Sequence, residues 1–376
     1  MIEDVEPRRR LARIAALMAG AQPIVIAAVT GTNGKTSTVE FLRQLWAAAG
    51  HNAASLGTLG VIAPDADRRG LPAAASGLTT ADPVTLAQGM AGLARGGVTR
   101  AAIEASSHGL DQFRLDGMRL TAGAFTNLTR DHLDYHGSLE AYREAKMRLF
   151  QQMLPARAPV VASTALDADS MATLRHIAAR RRFALQLVGE GGEAIDLLRA
   201  IPRPDGQILE LSVDGVRREV ALRLPGRFQA DNALVAAALA RVTGAEAALD
   251  LLPGLAGVRG RMELAARLPN GAAVYVDFAH TPDALARLLA ALRPHTAGRL
   301  HVVFGAGGDR DRGKRPLMGA AAAAGADQVT VTDDNPRGED PAVIRAAVLA
   351  ACPGAREIGD RARAIAAALG ELGPGD

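Results

Sequence analysis

The sequence predicts an α/β protein: a large, mostly parallel sheet with helices on both faces, followed by a smaller doubly wound domain. Three observations predict it. Apolar runs of strand length alternate with segments of helical spacing. A glycine-rich turn follows the first of those runs. At 376 residues the chain also exceeds what one hydrophobic core usually supports, so two domains are expected. Composition agrees, with 48% apolar residues, only 3% aromatics and 40 glycines. That balance suits closely packed helices on a sheet better than an aromatic-rich sandwich.

Residues 24–29 are a continuous apolar run, the signature of a buried parallel strand. Helical spacing follows over 36–49 and stops near Gly50. Further strands are expected at 101–105, 122–126 and 159–162, with a long helix over 138–153. Residues 207–213 and 216–224 flank Asp214-Gly215, a hairpin signal, and predict an antiparallel edge on the parallel sheet. Pro and Gly punctuate 251–257, which reads as the linker. Beyond it the alternation restarts: strand 272–277, helix 282–292, strand 300–304, helix 315–324, strand 328–332, helix 341–351. The expected division is therefore a remnant or linker at 1–22, a central domain at 23–254, and a Rossmann-like domain at 258–376.

Charge excludes some classes. With 43 basic and 40 acidic residues the formal charge is +3, and the runs Arg8-Arg9-Arg10 and Arg180-Arg181-Arg182 are too short for a nucleic-acid surface. Both read as solvated helix faces. The lone Cys352 excludes an internal disulfide and suits a reducing compartment. The start, Met1-Ile2-Glu3-Asp4, has no apolar signal core, and no apolar stretch approaches the roughly 20 residues that span a bilayer. A cytoplasmic monomer is expected.

The strongest chemical signal is Gly31-Thr32-Asn33-Gly34-Lys35-Thr36. A strand delivers the chain to the glycines and a helix opens at Thr36, so backbone N–H groups and the helix N-terminus form an anion cradle. Lys35 supplies a point charge for phosphates, and the Thr36 hydroxyl suits Mg²⁺. Val29 stands where the longer phosphate-loop spacing wants Gly, making this the shorter G-T-x-G-K-T form of a P-loop ATPase-like domain. Glu104 ends a predicted strand, where open α/β sheets bind ligands; it reads equally as a metal ligand or a structural acid. Residues 127–137, NLTRDHLDYHG, gather two His and two Asp after another strand, which suits metal and phosphate work or a capped loop. Lys146 lies on the following apolar-patterned helix, where an isolated lysine ordinarily snorkels to solvent.

Together GTNGKTS (31–37), LTTADP (78–83), EASSHGLDQFR (104–114), NLTRDHLDYHG (127–137) and YREAKMRLF (142–150) resemble the Mur ligases. So do PGRFQADNALVAAALA (225–240), GRMEL (260–264), VDFAHTPDAL (276–285), GAGGDRDRGKRPLMG (305–319) and TDDNPR (332–337). The set is most similar to the branch that adds diaminopimelate in peptidoglycan precursor synthesis. The resemblance implies a chemistry: ATP phosphorylates the carboxylate of UDP-N-acetylmuramoyl-L-alanyl-D-glutamate, and the amine of meso-diaminopimelate attacks the acyl phosphate.

It also implies roles. Gly31 through Ser37 (with Thr32, Asn33, Gly34, Lys35 and Thr36) would bind ATP, with Asn232 at the adenine and Arg261 and Asp277 closing on the nucleotide. Thr36, Glu104, His132 and Lys146 would serve Mg²⁺, Lys146 as a carbamate. Thr79, Thr80, Ser107, Gln112 and Arg114 match contacts to the muramoyl-dipeptide. Arg310 and Asp334, Asn335, Pro336 and Arg337 match the diaminopimelate signature, where Arg can grip a second carboxylate. DNPR is also a turn-forming sequence. His280 shares the signature around Asp277 with a less defined role.

The family carries a uridine-nucleotide domain before the phosphate loop and a Gly-Lys-Gly-His-Glu motif beyond this chain's last residue, so a chain shortened at both ends is expected. The rival readings are a lysine-adding or folylpolyglutamate-type ligase, and a nucleotide-binding fragment without turnover.

Overall fold

The computed structural model describes residues 4–64 and 78–376; Met1, Ile2 and Glu3 of the acidic start lie outside them. The chain forms two compact units, the first comprising Met1–Ile201, Ile208–Leu224 and Phe228–Val258. Its elements are α1 (Pro7–Ala19), β1 (Val25–Thr30), α2 (Lys35–Ala48), β2 (Ala53–Gly57), β3 (Gly60–Ile62), α3 (Pro83–Arg95), β4 (Arg100–Glu104) and α4 (Ser107–Asp111). There follow β5 (Ala122–Phe125), α5 (Leu133–His136), α6 (Leu139–Arg148), β6 (Pro159–Ser163), α7 (Ala168–Arg181), β7 (Ala184–Gly189), β8 (Ile195–Arg203), β9 (Gly206–Val213), β10 (Val216–Leu222) and α8 (Arg227–Val242).

One sheet in the order β10-β9-β8-β7-β6-β5-β1-β4-β2-β3 carries the unit. β1 runs parallel to both neighbours, β4 and β5, and Val29 stands opposite Glu104 while Thr30 stands opposite Phe125. The ends of three strands therefore lie level. The chain leaves β1 for β2 and β4 on one side and reaches β5 on the other, so β1 is the switch point where such sheets take their ligands.

β1 is buried on both faces, which is why it reads as a continuous apolar run. Ala27 and Val29 join the core beneath α2 and α8; Ile26 and Ala28 join the opposite core with residues of α3, α6 and α7. In α8 every residue from 233 to 240 is buried, so Ala lets the helix approach the sheet closely. The expected 207–213/216–224 hairpin forms, with Asp214 at φ 53° and Gly215 at φ 77° in its turn. The expected long helix over 138–153 starts after the Ser138 cap, and its last turn, Leu149–Met153, relaxes into π geometry.

Three expectations differ from the structure. Within the expected remnant or linker at 1–22, residues 7–19 form a packed helix: α1 buries Ala12 and Ala16 and lies on α3. The proposed linker 251–257 is packed too, with Leu252 fully buried, Leu255 nearly so, and the Ala256 N–H donating to Gln44 Oε1 at 2.8 Å. Its Pro and Gly serve a short 3₁₀ turn, Leu252–Gly254, rather than a flexible tether.

The second unit comprises Pro202–Gln207, Pro225–Arg227 and Arg259–Asp376. It holds β11 (Glu263–Arg267), β12 (Ala273–Val276), α9 (Pro282–Leu292), β13 (His301–Phe304), α10 (Lys314–Gly325), β14 (Gln328–Val331), α11 (Pro341–Leu349), β15 (Arg356–Glu357) and α12 (Arg361–Gly370). β13, β14 and β15 form a parallel sheet. The third difference lies here. β12 pairs antiparallel with β11 instead of joining that sheet. The cause is local: Pro269-Asn270-Gly271 makes a turn, with Gly271 at φ 90° and the Leu268 N–H bonded to the Ala272 carbonyl at 2.9 Å. Among the described residues, no helix is long and apolar enough to cross a membrane.

Trp46, the single tryptophan, is wholly buried and donates to Thr243 Oγ1 at 2.9 Å, so its fluorescence reports unfolding of the first unit. Leu42, fully buried in the same core, is the sharpest probe of that packing. Leu42→Ala is expected to lower the unfolding free energy read by Trp46 in urea by about 2–5 kcal/mol. A change below about 1 kcal/mol would contradict this core assignment.

Candidate functional site

The site begins at the end of β1. Gly31 has φ 148°, and a Cβ there would stand 1.9 Å from Thr126 Oγ1; Gly34 has φ 85°, and a Cβ would stand 2.2 Å from Asn232 Oδ1. Both glycines are dictated by conformation and close approach. The loop is also tied down from β5's end: the Thr32 N–H donates to the Asn127 carbonyl at 2.8 Å and the Asn33 N–H to Asn127 Oδ1 at 3.0 Å. Thr126 Oγ1 donates to the Asn33 carbonyl at 2.7 Å. α2 opens at Lys35, whose Nζ donates to the Gly31 and Thr32 carbonyls, each at 2.8 Å. Thr36 and Ser37 are buried in the first turn.

Beside this loop, β4 delivers Glu104, only 2% exposed. Thr36 Oγ1 donates to Glu104 Oε2 at 3.1 Å, and the Thr58 N–H donates to Oε1 at 2.7 Å. A buried carboxylate beside a hydroxyl is a hard-oxygen donor set, which fits Mg²⁺. Among the described residues no three His, Cys, Asp or Glu side chains group into a metal site of their own. A cation held here would complete its shell with phosphate oxygens and water, as Mg²⁺ usually does.

Lys146 contradicts the ordinary fate of a surface-helix lysine. Its side chain is 1% exposed, and Nζ donates to the Gly31 carbonyl at 2.7 Å. Burial, and then the charge of Lys35, push its pKa well below the usual lysine value, with Asp131 opposing. Tyr142, one turn earlier on α6, holds its ring centroid 4.4 Å from Nζ. Burial pushes the Tyr142 phenol up, so it remains a neutral donor.

His132 takes the left-handed conformation, φ 51°, at the start of α5. Its ring lies 4.8 Å from that of His108 and 6.2 Å from that of Tyr142. Burial lowers the pKa of His108 and of His136; at His108 the neighbouring histidines add to the effect.

Of the residues matched to the dipeptide, Thr79, Thr80, Gln112 and Arg114 take part in hydrogen bonds around Glu104 and Tyr135. Thr80 Oγ1 donates to the Glu104 carbonyl at 2.8 Å and accepts from the Ser106 N–H at 3.0 Å. Arg114 reaches the Thr80 carbonyl at 2.7 Å and Gln112 Oε1 at 2.6 Å, and Gln112 donates to the Tyr135 hydroxyl at 3.0 Å. The Thr58 hydroxyl donates to Thr79 at 3.2 Å. Ser107 Oγ is buried at the first turn of α4 with no partner among the described residues.

In the second unit, Asp277 accepts the Met262 and Ala279 N–H groups at 2.7 Å each, and burial raises its pKa. The Arg261 guanidinium lies 5.1 Å from the Phe278 ring centroid. Lys314 Nζ donates to the His280 carbonyl at 3.1 Å. The segment carrying Arg310 and the Asp334-Asn335-Pro336-Arg337 loop adjoin: the Gly308 N–H donates to the Asn335 carbonyl at 2.9 Å, and Arg337 to the Gly308 carbonyl at 2.6 Å. Arg310, Asp334, Asn335 and Arg337 are exposed. Glu339 braces the pair, accepting the Asp309 N–H at 2.6 Å and gripping buried Arg315 through both carboxylate oxygens, at 2.7 and 3.1 Å.

In the first unit the contacts involve residues that sequence spacing did not single out, Thr58, Thr126, Asn127, Tyr135 and Tyr142; in the second unit Glu339 is another. Tyr142 lay in a quoted motif, but nothing in its spacing to Thr32 marks a contact.

Glu339 generates a pH prediction. Arg315 and the Asp309 amide hold its carboxyl down to about 2 from 4.5. A depressed carboxyl contributes stability above its unfolded value, and that contribution is lost as pH falls from about 4.5 to about 2. Glu339→Gln is expected to lower the Tm at pH 7 and to flatten the fall of Tm across that window, measured by calorimetry. Identical Tm–pH curves for the two proteins would contradict the brace.

Comparison with known proteins places this arrangement. Residues 29–240 match the Mur ligase middle domain and residues 260–376 the Mur ligase, glutamate ligase domain. The UDP-N-acetylmuramoyl-L-alanyl-D-glutamate–2,6-diaminopimelate ligase of Caulobacter vibrioides is 52% identical over 380 residues, covering 100% of this chain and 77% of that protein. The ligase of the same name from Rhizobium meliloti is 52% identical over 375 residues, covering 99% of this chain and 75% of its own length. A solved structure of a ligase of that name superposes with a TM-score of 0.73 at 34% identity, covering 100% of this chain and 77% of that one. Mycobacterium tuberculosis folylpolyglutamate synthase complexed with ADP gives a TM-score of 0.76 at 21% identity over 98% of this chain and 88% of its own, a likeness of fold. With both domains matched and half its residues shared with such ligases, the chain belongs to the Mur ligase family.

Proposed function

We propose that this chain is an ATP-dependent ligase that joins meso-diaminopimelate to UDP-N-acetylmuramoyl-L-alanyl-D-glutamate, a step of peptidoglycan precursor synthesis. The observation that carries the reading is the cluster at the end of β1: a glycine loop with Lys35, the Thr36–Glu104 pair, and buried Lys146 against the Gly31 carbonyl. The names of its relatives supply the substrates.

In this reading a carboxylate oxygen of the D-glutamyl residue attacks the γ-phosphorus, and the bond to ADP breaks. The amine nitrogen then attacks the acyl carbon, phosphate leaves with the bonding pair, and a proton is lost from nitrogen. Such transfers depend on positioning and charge neutralisation more than on covalent help from the protein. Bound Mg²⁺ would supply neutralisation of the phosphate oxygens. Lys35, which bonds the loop carbonyls, would supply the charge for the β- and γ-phosphates, and Thr36 and Glu104 would hold the cation. Asn232, which lies against Gly34, is assigned to the adenine by the resemblance alone. Lys146, as a carbamate, would present an anionic oxygen in place of a cation. His132, its ring centroid 6.2 Å from that of Tyr142, would contribute an imidazole.

Thr79, Thr80, Ser107, Gln112 and Arg114 are assigned to the dipeptide, and Arg261 and Asp277 to the nucleotide. Exposed Arg310, Asp334, Asn335 and Arg337 with Pro336 are assigned to diaminopimelate, Arg337 meeting a carboxylate. The site chemistry is that of a cytoplasmic enzyme, since ATP is its phosphoryl donor.

The test is phosphate release with ATP, Mg²⁺ and the muramoyl-dipeptide. Release is expected to require diaminopimelate. Equal release with lysine would overturn the amine assignment, and ATP binding with no amine-dependent release would favour a nucleotide-binding protein without turnover. Lys35→Ala is expected to lower kcat on the order of 100-fold or more. Arg337→Ala is expected to raise KM for diaminopimelate roughly ten-fold, with ATP affinity unchanged.

A further inference from the structure

The geometry points to Tyr142 as a positioning residue that locks the phosphate loop to the helix bearing Lys146. This rests on the reading of residues 31–37 as the ATP site.

Tyr142 is 1% exposed, and its hydroxyl donates to Thr32 Oγ1 at 3.1 Å across 110 positions of sequence. The direction of that bond is fixed by its neighbours. Thr32 has one hydroxyl hydrogen, which it gives to the Thr129 carbonyl at 3.1 Å. Its oxygen accepts the Thr129 N–H at 3.0 Å. One lone pair then remains, and the Tyr142 hydroxyl fills it, so the Thr32 hydroxyl is fully satisfied. Three segments meet at one oxygen: the phosphate loop, the strand-end loop that leads to Asp131 and His132, and α6. The Tyr142 ring lies against Lys146 Nζ, which bonds the Gly31 carbonyl. One side chain thereby fixes both ends of the Gly31-Thr32 dipeptide, from the hydroxyl at one end and through Lys146 at the other. A bulk-filling aromatic would need no hydroxyl at this place, and the bond it makes lands on a loop residue rather than on the core.

The test is a double-mutant cycle on ATP affinity, measured by calorimetry with ATP and Mg²⁺ on the whole chain. Tyr142→Phe keeps the ring and removes the donor; its Kd for ATP is expected to rise about five-fold, the worth of one ordinary hydrogen bond, with the Tm followed at Trp46 held near that of the wild type. Thr32→Val is expected to weaken binding further, and the double variant to bind no more weakly than Thr32→Val alone, because the two residues act through one bond. An unchanged Kd in Tyr142→Phe, or fully additive losses in the double variant, would overturn the inference. Tyr142→Leu removes the ring as well and is expected to lower kcat a further ten-fold or so through displacement of Lys146. A kcat equal to that of Tyr142→Phe would refute the Lys146 half. Wild-type protein that binds no ATP would remove the nucleotide reading and this inference with it, whereas ATP binding insensitive to Tyr142 removes the inference alone.

Discussion

The site depends on one buried contact, the 2.7 Å bond from Lys146 Nζ to the Gly31 carbonyl. A charged ammonium at that depth is costly, and Lys35 nearby raises the cost. The chain's answer is an amine whose pKa burial has brought down, set against the backbone that begins the phosphate loop. A neutral amine is a nucleophile toward dissolved CO₂, and an ammonium is not. In the proposed function, that position is the one assigned to a lysine converted to a carbamate.

Everything around that contact serves to keep the backbone still. β1 is buried on both faces and ends level with β4 and β5, so Gly31, Glu104 and Thr126 emerge together. Glycine at 31 and 34 admits Thr126 and Asn232 where a Cβ would collide with them. The loop's own donors and acceptors at Thr32 and Asn33 are engaged by residues that follow β5. Preorganised dipoles of this kind stabilise developing charge without reorganising at the moment of reaction.

Much of this was legible in the sequence, and the parts that were not share a cause. The glycine loop, the strand–helix alternation and the Asp214-Gly215 turn are local signals, and the fold follows from them. The resemblance to the ligase family marked Lys146, but residue chemistry alone placed it in solvent, because helical spacing records an amphipathic face and not which tertiary neighbours cover it. Thr58 on Glu104 and Tyr142 on Thr32 span 46 and 110 positions, beyond any pattern of short period. The Pro-Gly segment at 251–257 carries the opposite lesson: turn residues mark a change of direction just before the units divide at Val258, and burial of Leu252 and Leu255 decides that the turn is packed. Alternation alone sets the strand at 272–277 in the parallel sheet, whereas the turn Pro269-Asn270-Gly271 pairs it with β11.

The most direct measurement is carbon-13 NMR of the whole protein in ¹³C-bicarbonate, compared with Lys146→Met under the same conditions. The account predicts a carbamate resonance in the wild type that Lys146→Met lacks. A wild-type spectrum without that resonance at saturating bicarbonate would contradict it, and Lys146 would then be a buried structural amine.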